Sequence, residues 1–189
     1  MSEAISPARG ARFAGPAAAI GDLGPLGMLT IRGDLSDPGF RAAVESVAGF
    51  AVPGVRRFVE GPGGGLGWMS PDELLLVTSY DAASGLAARL RAALDGRHHL
   101  VADVSDARAA FRIEGEGARE LIATGAPVDL SPAVFGPGDL RRSRLGQVAA
   151  AFWLGADGAF TLVVFRSLGE YVFEWLKTGA RSGARPALF

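Results

Sequence analysis

The chain has 189 residues, 49% of them hydrophobic and 21% charged, with 19 Lys+Arg against 20 Asp+Glu and no cysteine. A formal charge of −1 excludes the global basicity that drives non-specific nucleic-acid binding, and the lack of cysteine excludes disulfides, thiolate metal ligands and cysteine nucleophiles. What remains at this length is one globular domain, or two small ones packed intimately, with enough apolar residues to bury a core.

Residues 1–25 are rich in Ala, Gly and Pro without periodicity, which predicts a flexible N-terminal arm. They contain no apolar core between a basic start and a small-residue cleavage site, so no signal peptide is expected. The longest uncharged run, residues 145–156, is shorter than the ~18–20 apolar residues of a membrane span, and the protein is expected in the cytoplasm. Met28-Leu29-Thr30-Ile31-Arg32 reads as a strand. Asp37-Pro38 then sets a helix start, and Phe40, Val44 and Val47 mark one face of a helix running to about Ala48 before Gly49. Strands follow at residues 56–60 and at Glu73-Leu74-Leu75-Leu76-Val77, reached from Trp68-Met69 through a Ser70-Pro71-Asp72 turn. Asp81 is placed to cap a second helix, with Leu86, Leu90 and Leu94 or Ala93 inward and Gly96 at its end, before a strand at residues 99–104. The order strand, helix, strand, strand, helix, strand is the split βαβ arrangement of ferredoxin-like units.

From Arg108 the pattern partly repeats. A strand at residues 110–114, a turn and a short helix at 118–124 lead into an irregular, proline-containing stretch over 127–138 and a basic segment at 140–144. A hairpin follows, with strands at 148–154 and 159–165 around Gly155-Ala156-Asp157-Gly158. Ser167 is placed to cap a last helix in which Leu168, Tyr171, Val172, Trp175 and Leu176 form one apolar stripe ending at Gly179. The fold expected is therefore α+β, with two ferredoxin-like halves, residues 26–105 and 106–179, sharing a core, and a mobile tail at 180–189.

The search for chemistry gives little. The glycine-rich segment Gly61-Pro62-Gly63-Gly64-Gly65-Leu66-Gly67 matches neither phosphate-loop spacing and leads into a strand, so it reads as a flexible loop. His98 and His99 are adjacent, so on a strand they point to opposite faces and cannot share an ion; no metal site is expected. Asp103, Ser105, Asp106 and Arg108 gather polar groups at a strand end, where catalytic carboxylates collect. A turn junction explains them as well, through side chain to backbone hydrogen bonds and Arg108–aspartate pairing, and this structural role is the favoured reading. Arg141, Arg142 and Arg144 form the densest positive patch, fit for an acidic partner, an anionic ligand or, as an RNA-binding module, a nucleic acid. Trp68, between a glycine loop and a proline turn, is fit either for the core or for a protein interface. No catalytic residue is assigned.

Several segments together resemble the gamma subunit of heterotetrameric sarcosine oxidase, a relative of the folate-binding aminomethyltransferases. They are Trp68-Met69-Ser70-Pro71-Asp72-Glu73-Leu74-Leu75; Asp103-Val104-Ser105-Asp106 with Ile113, Gly115, Ala118 and Leu121; Pro127-Val128-Asp129-Leu130 with Phe135 and Gly138; and Arg166-Ser167 with Tyr171 and Trp175-Leu176. The resemblance implies an aminomethyltransferase-like fold and a non-catalytic subunit of a flavoenzyme that demethylates sarcosine oxidatively and passes the one-carbon unit to tetrahydrofolate. It implies that FAD, FMN, NAD and tetrahydrofolate belong to other subunits, and that the partners are the alpha, beta and delta subunits, alpha most directly. No counterpart of the aminomethyltransferases' folate-clamping aromatic and acidic segments follows the first half. Stand-alone one-carbon transfer is the alternative, and it requires Asp103 or Asp106 to face a cavity that excludes water. As a subunit the chain is expected to expose an apolar surface around Leu66, Trp68 and residues 127–138, including Phe135, with Arg141, Arg142 and Arg144 as further interface candidates.

Overall fold

The computed structural model describes residues 4–181 and Leu188. In chain order they form β1 (Arg12–Ala14), β2 (Ala19–Asp22), β3 (Leu26–Gly33), α1 (Pro38–Ala48), β4 (Phe58–Gly61), β5 (Gly64–Ser70), β6 (Glu73–Ser79), α2 (Tyr80–Ala93) and β7 (His99–Asp103). There follow a 3-10 turn at Ser105–Ala107, β8 (Arg108–Glu114), α3 (Ala118–Ala123), β9 (Leu140–Leu145), β10 (Val148–Leu154), β11 (Phe160–Phe165), a second 3-10 turn at Arg166–Leu168 and α4 (Gly169–Arg181). Among the described residues no helix is long and apolar enough to cross a membrane. The chain divides into two compact units, one of residues 26–106 and the other of residues 1–25 with 107–189.

In the first unit the antiparallel sheet runs β4-β5-β6-β3-β7. Strand alternation and register place Leu29, Ile31, Leu66, Leu74, Leu76 and Val101 on one face, where they pack with Phe40 and Val44 of α1 and Ala83, Ala87 and Leu90 of α2. Helix α1 starts as its sequence predicts, with the Asp37 carboxylate accepting from the Gly39 amide at 2.8 Å. Helix α2 does not. It begins one residue after β6 ends, so Ser79 occupies the cap position without a side-chain hydrogen bond and Asp81 falls in the first turn. The glycine-rich segment is no loose loop either, because it turns the β4–β5 hairpin and supplies the first half of β5. A Cβ on Gly64 would sit 2.0 Å from the Val77 carbonyl oxygen, and one on Gly65 2.3 Å from the Phe58 ring. The glycines answer close backbone approach.

The second unit repeats the first in permuted form. Its antiparallel sheet runs β1-β2-β8-β11-β10-β9, so β10-β11-β8-β2 matches β5-β6-β3-β7, and β9 takes the edge place that β4 has. The fourth strand, which in the first unit follows the second helix, here comes from the N-terminal segment. The expected flexible arm is thus a structural part. Ile20 lies opposite Ile113 and joins the core of the unit with Phe111, Phe135, Phe152, Phe160 and Phe173. The buried Asp22 carboxylate accepts from the Ser6 hydroxyl, from the Gly10 amide at 2.8 Å and from the Gly24 amide at 3.1 Å. Each sheet buries a cluster of side chains against its own helices.

Helix α4 also departs from expectation. Ser167 lies in the 3-10 turn before it, and the helix runs through Gly179 to Arg181. A Cβ at Gly179 would stand 2.4 Å from the Leu121 side chain, so this glycine permits the close approach of α3 and α4 and does not stop the helix. Of the tail at 180–189, Ala180 and Arg181 belong to α4, while residues 182–187 and 189 lie outside the described residues.

Replacing Asp22 by Ala leaves buried donors without their acceptor and is expected to cost about 2–3 kcal/mol, read as a lower urea midpoint with faster proteolysis before residue 25. In the β10–β11 turn, the Ala159 amide and then the Arg112 guanidinium hold the Asp157 carboxyl below the usual carboxylate range. Its contribution is therefore present above about pH 4 and is lost as pH falls through the lowered folded value. Asp157→Asn is expected to flatten the loss of stability below about pH 4 in acid titrations followed by circular dichroism.

Candidate functional site

The polar cluster at the end of β7 is spent on the fold. Asp103 Oδ1 accepts from the Ser105 amide at 3.0 Å and from its hydroxyl at 2.5 Å, and the buried Ser105 Oγ accepts from the Met28 amide of β3 at 3.0 Å. Asp106 accepts from the Tyr80 hydroxyl at 2.9 Å, tying the turn to the start of α2. Arg108 opens β8 with its guanidinium 4.3 Å over the Phe165 ring. Asp103 and Asp106 are both exposed, so neither meets the water-excluded condition that one-carbon transfer demands.

The interface candidates separate. Leu66 and Phe135 are fully buried, which corrects the expectation for both. Leu66 sits on the helix-facing side of β5. Phe135 stacks on Phe160 with centroids 5.9 Å apart, beneath the Arg141 guanidinium at 5.2 Å. Arg141 also donates to the Leu140 carbonyl at 2.8 Å. Strand alternation sends Arg142 and Arg144, both exposed, to the other face of the edge strand β9. Trp68 is half-buried.

His98 is exposed, and His99 is half-buried with its Nδ1 2.9 Å from the Arg97 carbonyl oxygen. Both line a shallow cleft of about 380 Å³ with Arg32, Asp72 and Leu100. The Ser70 hydroxyl and then Arg32 hold the Asp72 carboxyl below its ordinary value. Among the described residues no group of three His, Cys, Asp or Glu is placed to hold a metal ion.

Apolar side chains face solvent elsewhere, at the junction of β11 and α4. Phe165 is 45% exposed, Leu168 36% and Tyr171 58%, and Arg166 donates to the backbone carbonyl of Ile5, itself 54% exposed. The sequence put Leu168 and Tyr171 on the inward stripe because Tyr171 and Trp175 are four apart. At about 100° per residue, however, Tyr171 lies about 100° from Val172 and 200° from Phe173, and Val172, Phe173, Leu176 and Ala180 define the buried face. Trp175 is half-buried at its margin. The wider stripe concealed an outward aromatic.

Comparison with known proteins adds the decisive observation. The model of the sarcosine oxidase, gamma subunit family matches residues 32–182. The chain belongs to this family. A sarcosine oxidase subunit gamma from Arthrobacter is 27% identical over 149 residues, covering 78% of this chain and 72% of that one. Its counterpart from Corynebacterium strain U-96 is 27% identical over 137 residues, covering 71% and 66%. Among solved structures, a chain of the heterotetrameric sarcosine oxidase from Corynebacterium U-96 superposes with a TM-score of 0.84 at 24% identity, covering 96% of this chain and 98% of that one. The aminomethyltransferase T of the glycine cleavage system from Bartonella henselae gives a TM-score of 0.60 at 14% identity, covering 85% of this chain and 45% of that one. The fold is aminomethyltransferase-like, as the resemblance implied.

If the Asp103-Ser105 pair is architectural, Ser105→Ala leaves the Met28 amide without its acceptor and lowers stability by about 1–2 kcal/mol. Urea unfolding checks this; an unchanged midpoint would contradict the assignment.

Proposed function

We propose that the chain is the non-catalytic gamma subunit of a heterotetrameric sarcosine oxidase, packing against the large alpha subunit. The observation that carries this reading is the family match, which spans most of both units. The spending of Asp103, Ser105 and Asp106 on turns supports it, since the polar groups best placed for chemistry are engaged in holding β3, β7 and α2 together. In this reading the complex oxidises sarcosine to glycine and passes the one-carbon unit to tetrahydrofolate. FAD, FMN, NAD and tetrahydrofolate are held by the alpha, beta and delta subunits. The contribution of this chain is a folded surface, stabilised by its own two cores, on which a larger chain rests.

An affinity pull-down of the full chain from its native lysate, followed by absorbance spectra and mass spectrometry, tests the proposal. Recovery of a yellow complex containing a large flavoprotein and two further chains is expected. Recovery of the chain alone and colourless would contradict it.

A further inference from the structure

We infer that Phe165, Leu168 and Tyr171, with Ile5 beside them, form the surface through which this chain docks on a partner subunit whose facing surface carries carboxylates around an apolar centre. The inference rests on the gamma-subunit reading and goes beyond it by naming the face and its complement.

The three residues are spaced by three. Phe165 ends β11 as the residue that precedes the 3-10 turn, Leu168 ends that turn and Tyr171 lies in the first turn of α4, so three exposed apolar side chains gather within seven residues at this corner. The Arg166 bond to the Ile5 carbonyl draws Ile5 alongside it. The core has no need of these side chains, because Val172, Phe173, Leu176 and Ala180 already fill the buried face of α4. Other exposed apolar residues, such as Val55, Leu100 and Val134, stand far apart along the chain. Isolated exposed residues are ordinary, whereas a contiguous patch marks an interaction surface. Tyrosine and arginine are also the residue types that dominate binding energy at protein interfaces.

Charge names the partner. Arg108 lies over Phe165, Arg166 lies within this stretch, and strand register extends the positive rim. Phe165 pairs with Arg108, Ala149 pairs with Arg144, and the β10–β11 register places Ala149 one step beyond the Ala150–Val164 pair, beside Phe165. Arg144, Ala149, Phe165 and Arg108 thus follow one another in one row across the sheet, on the face opposite Ala109, Ala150 and Val164 of the core. Residues 165–171 themselves hold one arginine, Arg166, and one acid, Glu170, so the positive excess of the rim comes from Arg108 and Arg144. A second copy of this chain docking face to face would set arginine against arginine, whereas an acidic surface is complementary. Leu168 and Ile5 offer nothing to stack on a base, which favours protein over single-stranded RNA.

The test is co-expression of the full chain with the alpha, beta and delta subunits and measurement of what co-purifies. It compares wild type, Phe165→Glu/Tyr171→Glu, the milder Tyr171→Ala, and Leu100→Glu and Val134→Glu as controls on exposed apolar residues elsewhere. Wild type and controls are expected to assemble. The double variant is expected to bind at least about 30-fold more weakly and Tyr171→Ala about 10-fold, with wild-type affinity falling as salt rises. Hydrogen exchange on unaltered chains is expected to slow at residues 165–171 on assembly, a readout that does not depend on the variants folding. Normal assembly of the double variant without protection at 165–171 overturns the inference and leaves the subunit reading standing. Failure of wild type to assemble overturns both. Assembly unaffected by the double variant, together with its loss of binding to a single-stranded RNA probe, assigns the patch to nucleic acid and also overturns the inference.

Discussion

The pairing of β2 with β8 is the constraint on which the second unit depends. Residues 107–181 supply strands β8 to β11 and helices α3 and α4 but no strand for the fourth place of the split βαβ pattern. Without β2, the ladder edge of β8 would be left open where α4 packs. The N-terminal segment closes it by backbone pairing over Ala19, Ile20, Gly21 and Asp22. The Asp22 carboxylate then gathers Ser6, Gly10 and Gly24 into one buried hydrogen-bonded knot. A buried carboxylate is tolerated when it is hydrogen-bonded on several sides. The knot helps to hold a segment whose apolar residues are mostly alanine and bury little surface each.

With both sheets complete, polar chemistry and exposed surface fall to different parts of the chain. The strand-end cluster of Asp103, Ser105 and Asp106 gathers polar groups of the kind that catalysis uses, yet its atoms are paired with the backbone and with Tyr80. The apolar exposure lies at the β11–α4 junction, on the unit that the N-terminal strands complete. A subunit that contributes surface needs a folded platform more than a cavity, and in each unit an antiparallel sheet covered by its own helices provides one.

Most of the first unit was legible because its strands alternate and its first helix carries both end signals: Asp37-Pro38 fixes one end of α1 and Gly49 the other. Leu74, Leu75, Leu76 and Val77 announce a central strand. Strands β1 and β2 were not legible, since Arg-Phe-Ala and Ala-Ile-Gly-Asp are too short and too poor in β-branched residues to show a period. Strand β5 was hidden by glycines demanded by tertiary contact with Phe58 and Val77, which no local rule reports. The polar cluster was found and its structural role favoured from turn chemistry alone. The surface was misplaced: Leu66 and Phe135 are apolar residues beside turns, which look exposed in sequence and are core in space. Tyr171 fits an i, i+4 stripe while pointing outward.

In the proposed function this chain supplies structure and surface and leaves one-carbon chemistry to its partners. Calorimetric titration of tetrahydrofolate into the isolated full-length chain tests it most directly. No saturable heat at any concentration the ligand's solubility allows is the predicted result. Saturable one-to-one binding that disappears in Asp103→Asn would contradict the account and return the strand-end cluster to the active site of a transferase.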